Sequence, residues 1–585
     1  MRQLVFGLVL GWTWAACGQT APVAERVAKQ NALFEEFYQT ELKNNPERAT
    51  AFGDYRYNSQ LGQYSLAEIA RQHAEADDFL ARLKAIPTGG MSDKDLLSHR
   101  TLEHQLERED VNYALKNYEM PVNQQNGVHT RLADLPNAVP FDSVPHYQDY
   151  ISRLHQIPRA LEQTTEVMRQ GEKDGLMPPR LVLEKLPRQC DGIITANPFL
   201  EPTKKFPAEF SDADKKRLTD EITRAINDDV FPAYKKFAEF VRTEYAPKGR
   251  PELSIESLTD GKRRYVEAVK TMTTVDTSPA EIHEIGLKEV ERIAAEMTKL
   301  AQSQGYKDLA SFREAVNNDP KWKPTSGQQI LDDYKKYIHQ MEPKLPELFG
   351  LLPKSPVTVE PIPEFAKAAA THYVQGTPDG KRPGRVVVAV SNPTKRSLID
   401  DEAVAYHEGV PGHHLQISIA QTLQGLPKFR LHNFYPAYAE GWALYSEELG
   451  KEIGFYKDPV SDYGRLNSEM LRAVRLVVDT GIHDKKWSRE KVIDYMHSND
   501  INDAVAQTEA DRYIAWPGQA LAYKVGQLTI LKLRDEAKTQ LGNKFDIKAF
   551  HDEILNGSAM PLDLLQERVE AWIKEQASKT ASSGR

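Results

Sequence analysis

Cysteine is nearly missing: Cys17 and Cys190 are the only two in 585 residues. A multi-cysteine metal site is excluded, and so is a disulfide once Cys17 is spent on another modification. A basic excess is missing too, since the net charge of -9 is spread along the chain and leaves no patch for nucleic acid. Beyond the first residues, no stretch reaches the roughly 18 apolar residues of a membrane-spanning helix. Strand signals are few. There is neither a G-x-S-x-G nucleophile elbow nor a cysteine dyad, so covalent hydrolysis is not expected. With 40% hydrophobic and 27% charged residues, what remains is a globular chain with enough material for a large core.

The N-terminus, MRQLVFGLVLGWTWAACGQT, places Arg2 before an apolar stretch at 4–14 and then Ala15-Ala16-Cys17. This is the pattern of a cleavable export signal over 1–17. Small residues followed by a cysteine resemble a bacterial lipobox, in which Cys17 becomes the lipid-modified end; Trp14 departs from the leucine usual there. Gly18 after the cysteine favours the outer membrane. The expectation is an exported protein, periplasmic or held to the outer membrane by a lipid on Cys17.

Hydrophobic periodicity predicts long amphipathic helices over 24–43, 66–85, 93–117, 143–171, 212–245 and 279–303. The last begins TSPAEI, with a hydroxyl cap, Pro279 at the first helical position and Glu281 in the first turn. The clearest strand is GRVVVAVSNP at 384–393, with PVTVEPIP at 356–363 as partner. It is expected at a sheet edge, where a substrate backbone would add as a further strand. The fold class is therefore mainly α, a large helical body with a small sheet beside the active-site helix. After a linker at 18–29, one domain is expected over 30–575. It divides into an N-terminal helical part to about 350 and a catalytic part at 351–575, with a polar tail at 576–585.

The segment HEGVPGHH at 407–414 departs from H-E-x-x-H, in which two histidines four residues apart leave one helical face. In an unbroken helix His407 and His413 would be about 600° apart, and His407 and His414 roughly 10.5 Å apart along the axis. Pro411 changes this. It lacks the N–H that would bond the His407 carbonyl and clashes with that carbonyl, while Gly412 tolerates unusual dihedrals. A break at 410–412 returns His413, or alternatively His414, to the place an i+4 histidine normally fills. Downstream, YAEGWALYSEELG at 438–450 presents Glu440 next to Gly441 and Trp442, which permit close helix packing. Glu447 follows two turns later on the same face, suited to orient a ligand histidine. Two histidines and a glutamate leave a fourth position for water, the mark of a catalytic zinc site.

The motifs DEAVAYHEGVPGHHLQ (401–416), YAEGWALYSEELG (438–450), RAVRLVVDTGIHDKKWSRE (472–490) and EADRYIAWPGQALAYKVG (509–526) resemble those of a bacterial family long filed as a domain of unknown function. Its members are often lipoproteins, and it is grouped with the gluzincin zinc peptidases. The resemblance runs from about residue 30 to 575 and includes NNPERATAFGDYRYN at 44–58. It implies a mostly helical peptidase-like fold and a Zn²⁺ site, without a defined substrate. Tyr523 occupies the place where related helical peptidases present a tyrosine to the scissile carbonyl.

The expected ligands are His407, His413 and Glu440, with His414 as the alternative. Glu408 is the expected general base, and Tyr523 with His483 the oxyanion donors. Arg475, Asp479 and His483 recur every four residues, and Arg475 suits a peptide carboxylate; Asn392 suits substrate backbone. The expected activity is hydrolysis of short peptides, in carboxypeptidase or oligopeptidase mode. Two other readings are a non-catalytic binding or scaffold lipoprotein on a peptidase fold and a zinc-dependent amidase or esterase.

Overall fold

The computed structural model describes residues 21–362 and 370–582. The export signal, Cys17 and the last residues of the polar tail lie outside the described residues. The described chain is mainly helical, with one three-stranded sheet. No described helix is long and apolar enough to cross a membrane.

Local chemistry explains the helix ends. Helix Pro279–Ser303 starts on a full capping box. The Ser278 side chain accepts from the Glu281 N–H, and the Glu281 side chain accepts from the Ser278 N–H. The run expected at 143–171 divides into Val144–Leu154 and Ile157–Lys173, because Pro158 in the new first turn has no N–H to continue the old ladder. The run at 212–245 continues, but passes through π-helical turns at Ile226–Val230 and Val241–Tyr245 that flank the Pro232 segment.

Two large cores form. One is built from residues between Leu61 and Ala246, the other chiefly from residues between Tyr265 and Ile573. The boundary between these two cores falls near residue 250. Helix Pro279–Ser303 belongs to the second core because Gly286 packs directly on Leu476 and Val477 of helix Pro459–His483; a Cβ at Gly286 would sit 2.7 Å from the Leu476 Cβ.

The sheet has the order β1 (Val357–Pro361), β3 (Gly384–Val388), β2 (His372–Val374). β1 runs parallel to β3, with Val359 beside Val386, and β2 runs antiparallel, with Tyr373 beside Val386. The expected pairing of the two runs is present, but β3 is the central strand and not an edge. Its Val386, Val387 and Val388 are all buried, which only a strand flanked on both sides and covered by helices achieves. Asn392 lies past the strand, exposed, in the left-handed region at φ 50°, with its carbonyl accepting from the Lys395 N–H. It forms a turn at the sheet's exit and offers no ladder position to a substrate.

Candidate metal centre

The histidine segment breaks as its composition requires. Helix Asp401–Glu408 stops at Gly409, and a new helix, His413–Thr422, starts at His413. Between them the Val410–Pro411 peptide is cis. The Gly412 N–H donates to the Tyr406 carbonyl at 2.9 Å and the His414 N–H to the Gly409 carbonyl at 3.1 Å, so the break has its own hydrogen bonds. Gly412 is needed here: a Cβ would collide with the carbonyl oxygens of Tyr406 and His407.

Glu440 arrives on helix Pro436–Glu452, which packs on helix Ala522–Leu541 through Gly441 against Gly526. With no side chains between them the backbones touch, and Glu440 and Tyr523 are brought to the same region. One Glu440 oxygen, Oε2, lies 3.4 Å from His407 Nε2 and 3.3 Å from His413 Nε2. The two imidazoles meet edge to face, with centroids 4.9 Å apart. Ligand atoms held tetrahedrally at 2.0–2.1 Å from zinc are separated by about 3.3 Å. The Glu440 oxygen meets both imidazoles at that spacing and the three donor atoms lie within 4.8 Å of one another, so the set fits a divalent ion of the zinc type.

The surroundings favour positive charge. His407 Nδ1 donates to Glu447 Oε1 at 2.8 Å, which orients the ring with Nε2 towards Glu440. Burial disfavours a charged imidazole at His407, but Glu440 and Glu447 outweigh it and lift its pKa to about 9. Burial likewise opposes ionisation of Glu440, yet His407 and His413 hold its carboxyl well below the usual range. Glu408, next in chain to a ligand, is 8% exposed, and no described residue hydrogen-bonds its carboxylate.

Tyr523 joins the site. Its ring lies 6.3 Å from that of His407 with planes 22° apart, and its hydroxyl accepts from Arg512 Nη2 at 3.2 Å, leaving the phenolic proton free to donate. The Arg475 guanidinium packs 4.5 Å from the ring centre while pairing with Glu509. Arg512 stands in the quoted motif EADRYIAW, but nothing in the local pattern singled it out.

Two expected residues are turned elsewhere. His414 donates from Nε2 to the Ser355 carbonyl at 3.0 Å and contacts the Tyr373 hydroxyl through Nδ1 at 3.1 Å. Neighbours in a helix point about 100° apart, so only one of His413 and His414 faces Glu440. His483 is fully buried, accepting from the Ile255 N–H at Nδ1 and donating to the Tyr513 carbonyl from Nε2. Burial pushes its pKa down to about 3. A neutral ring with both nitrogens engaged has no proton for an oxyanion. Arg475 and His483 do share a stripe, but eight residues of helix separate them by about 12 Å along the axis. Between them Asp479 accepts from the Tyr265 hydroxyl and the Gly518 N–H, bracing the turn that leads to Tyr523.

Similarity to known proteins agrees with this architecture. A solved structure described as a candidate lipoprotein of Colwellia psychrerythraea is 28% identical, covers 94% of this chain and 100% of its own, and superposes with a TM-score of 0.89. Another, a candidate lipoprotein of unknown function from Shewanella oneidensis, is 18% identical over 94% of this chain and 99% of its own, with a TM-score of 0.67, and shows the fold alone. Comparison with curated proteins finds no match. Residues 46–569 match the model of a bacterial protein family of unknown function, DUF885, and the chain belongs to that family.

Proposed function

We propose that the protein is an exported zinc-dependent metallopeptidase that hydrolyses short peptides, in carboxypeptidase or oligopeptidase mode, with the gluzincin arrangement of ligands. The observation that carries this reading is the convergence of His407 Nε2, His413 Nε2 and one Glu440 oxygen, with the Glu408 carboxylate, which has no hydrogen-bond partner among the described residues, next in chain and the Tyr523 ring against His407. A zinc ion bound by these three residues supplies Lewis acidity, which makes an attacking water acidic enough to react at neutral pH. Glu408 takes the proton from that water and returns it to the leaving amine. Tyr523 donates its phenolic proton as a hydrogen bond to the carbonyl oxygen as charge develops there, while Arg512 holds the phenol oxygen in place. The N-terminal signal pattern and the lipoprotein description of the 28%-identical structural relative support export, with a lipid anchor at Cys17.

The test combines metal analysis with peptide digestion. Purified protein is expected to hold one zinc per chain and to cleave a mixed peptide library in a chelator-sensitive manner, read by mass spectrometry. Glu408→Gln keeps the zinc and loses about 10²–10⁴-fold in rate. Protein that neither holds zinc nor gains activity on its addition would instead be a binding lipoprotein.

A further inference from the structure

Two charged donors lie unused beside the candidate metal centre. On helix Pro459–His483, Arg472 and Arg475 are three residues apart and share a face. Both guanidinium groups pack on the Tyr523 ring, 5.8 and 4.5 Å from its centroid. Arg475 reaches Glu509 through Nε and Nη2, at 3.0 and 2.8 Å, and its Nη1 is buried with no partner among the described residues. Arg472 donates from Nη1 to Ser468, approaches Glu447 only at 4.0 Å, and has an Nε that is likewise buried and unpartnered. Arg512 is a third guanidinium on the same ring, at 5.9 Å, and it shares Glu509 with Arg475.

Glu509 is shared by Arg475 and Arg512, and Glu447, which Arg472 approaches, is already engaged by His407. Arg472 Nε and Arg475 Nη1 remain as charged N–H groups with no acceptor among the described residues. Arg153, Arg159, Arg382, Arg385, Arg430 and Arg534 also carry buried N–H groups with no partner among the described residues; what sets Arg472 and Arg475 apart is their place on the Tyr523 ring beside the candidate metal centre. A carboxylate, with two oxygens in one plane, is the natural complement of such forks. The Arg472 side chain retains 13% of its surface exposed, which gives an incoming anion an approach.

Distance selects which carboxylate. The contacts that lead from His407 to the arginines are 6.3 Å to Tyr523 and then 4.5–5.8 Å. An extended peptide advances about 3.3–3.6 Å per residue, so an anion on these arginines lies no more than about three or four residues from a carbonyl at the metal. We propose, building on the metallopeptidase reading, that Arg472 and Arg475 bind the free C-terminal carboxylate of the substrate. The protein then removes a C-terminal fragment of at most about four residues and does not cut within long chains.

The experiment compares one hexapeptide as the free acid and as the C-terminal amide, using zinc-loaded enzyme and product masses. The acid is expected to lose a C-terminal fragment, with kcat/KM about 10- to 100-fold above the amide, the factor that unmade charge-assisted bonds carry. Arg472→Gln and Arg475→Lys are expected to raise KM for the acid by a similar factor and so to close the gap between the acid and the amide. Equal kcat/KM for acid and amide, or internal cuts in a blocked peptide, overturn the carboxylate site and leave the metallopeptidase intact. Isothermal titration of Glu408→Gln with the same two peptides reads binding without turnover. Tighter binding of the acid supports the site and equal affinity overturns it, whereas zinc-loaded protein that cleaves neither peptide overturns the metallopeptidase reading.

Discussion

The indole N–H of Trp442 donates to the carbonyl of Pro411 across 2.9 Å. Trp442 stands two residues after Glu440 and Pro411 two before His413, so this bond ties the helix that carries the carboxylate to the break that delivers the second histidine. Trp442→Phe keeps the buried ring and removes the donor, leaving the Pro411 carbonyl unpaired. The expected cost is about 1–3 kcal/mol in urea denaturation, together with weaker zinc binding in competition with a chelator.

Gly412 is the most restrictive position of the break. Gly412→Ala drives a methyl group into the carbonyls of Tyr406 and His407, which must separate to admit it. A loss of several kcal/mol, on the order of 3 or more, is expected in denaturation, with zinc content falling because His407 and His413 no longer converge.

His413 and His414 are adjacent but do different work. His413→Ala is expected to abolish stoichiometric zinc. His414→Ala is expected to retain it and to lower stability by about 1–3 kcal/mol, since the Ser355 carbonyl loses its donor. Metal analysis and thermal unfolding of the two variants separate these outcomes.

Glu447 acts through His407. Its Oε1 accepts from Nδ1, while its Oε2 is buried without a partner among the described residues. Glu447→Gln preserves the shape and removes the charge, and zinc affinity is expected to fall about 10- to 100-fold.

Acid stability follows from two buried neutral rings. His483 and His551 ordinarily titrate near 6.5, but burial pushes each down to about 3. Between these values the unfolded chain binds more protons than the folded one, so acid favours unfolding. Their contribution is complete above pH 6.5 and is lost as pH falls towards 3, by up to about 1.4 kcal/mol per pH unit for each ring. Denaturation at pH 4.5, 5.5 and 7 is expected to show this slope, and His551→Gln to reduce it.

Much of the local structure is legible in the chain itself because it rests on backbone stereochemistry. The capping box at Ser278 and Glu281, and the interruption at Pro411 and Gly412, depend on neighbours a few residues away, and so does the donor chemistry of the histidines and Glu440. The type and order of the candidate ligand side chains are therefore sequence properties. Tertiary packing decided the rest. The approach of Gly441 to Gly526 brings Glu440 and Tyr523 together, and the contact of Gly286 with Leu476 and Val477 places helix Pro279–Ser303 in the second core. Flanking strands turn the expected edge strand into a centre, and surrounding helices bury His483 beyond use. The gathering of Arg472, Arg475 and Arg512 on one tyrosine ring joins three different helices. No local periodicity encodes such a meeting, because it depends on how close distant backbones are allowed to come.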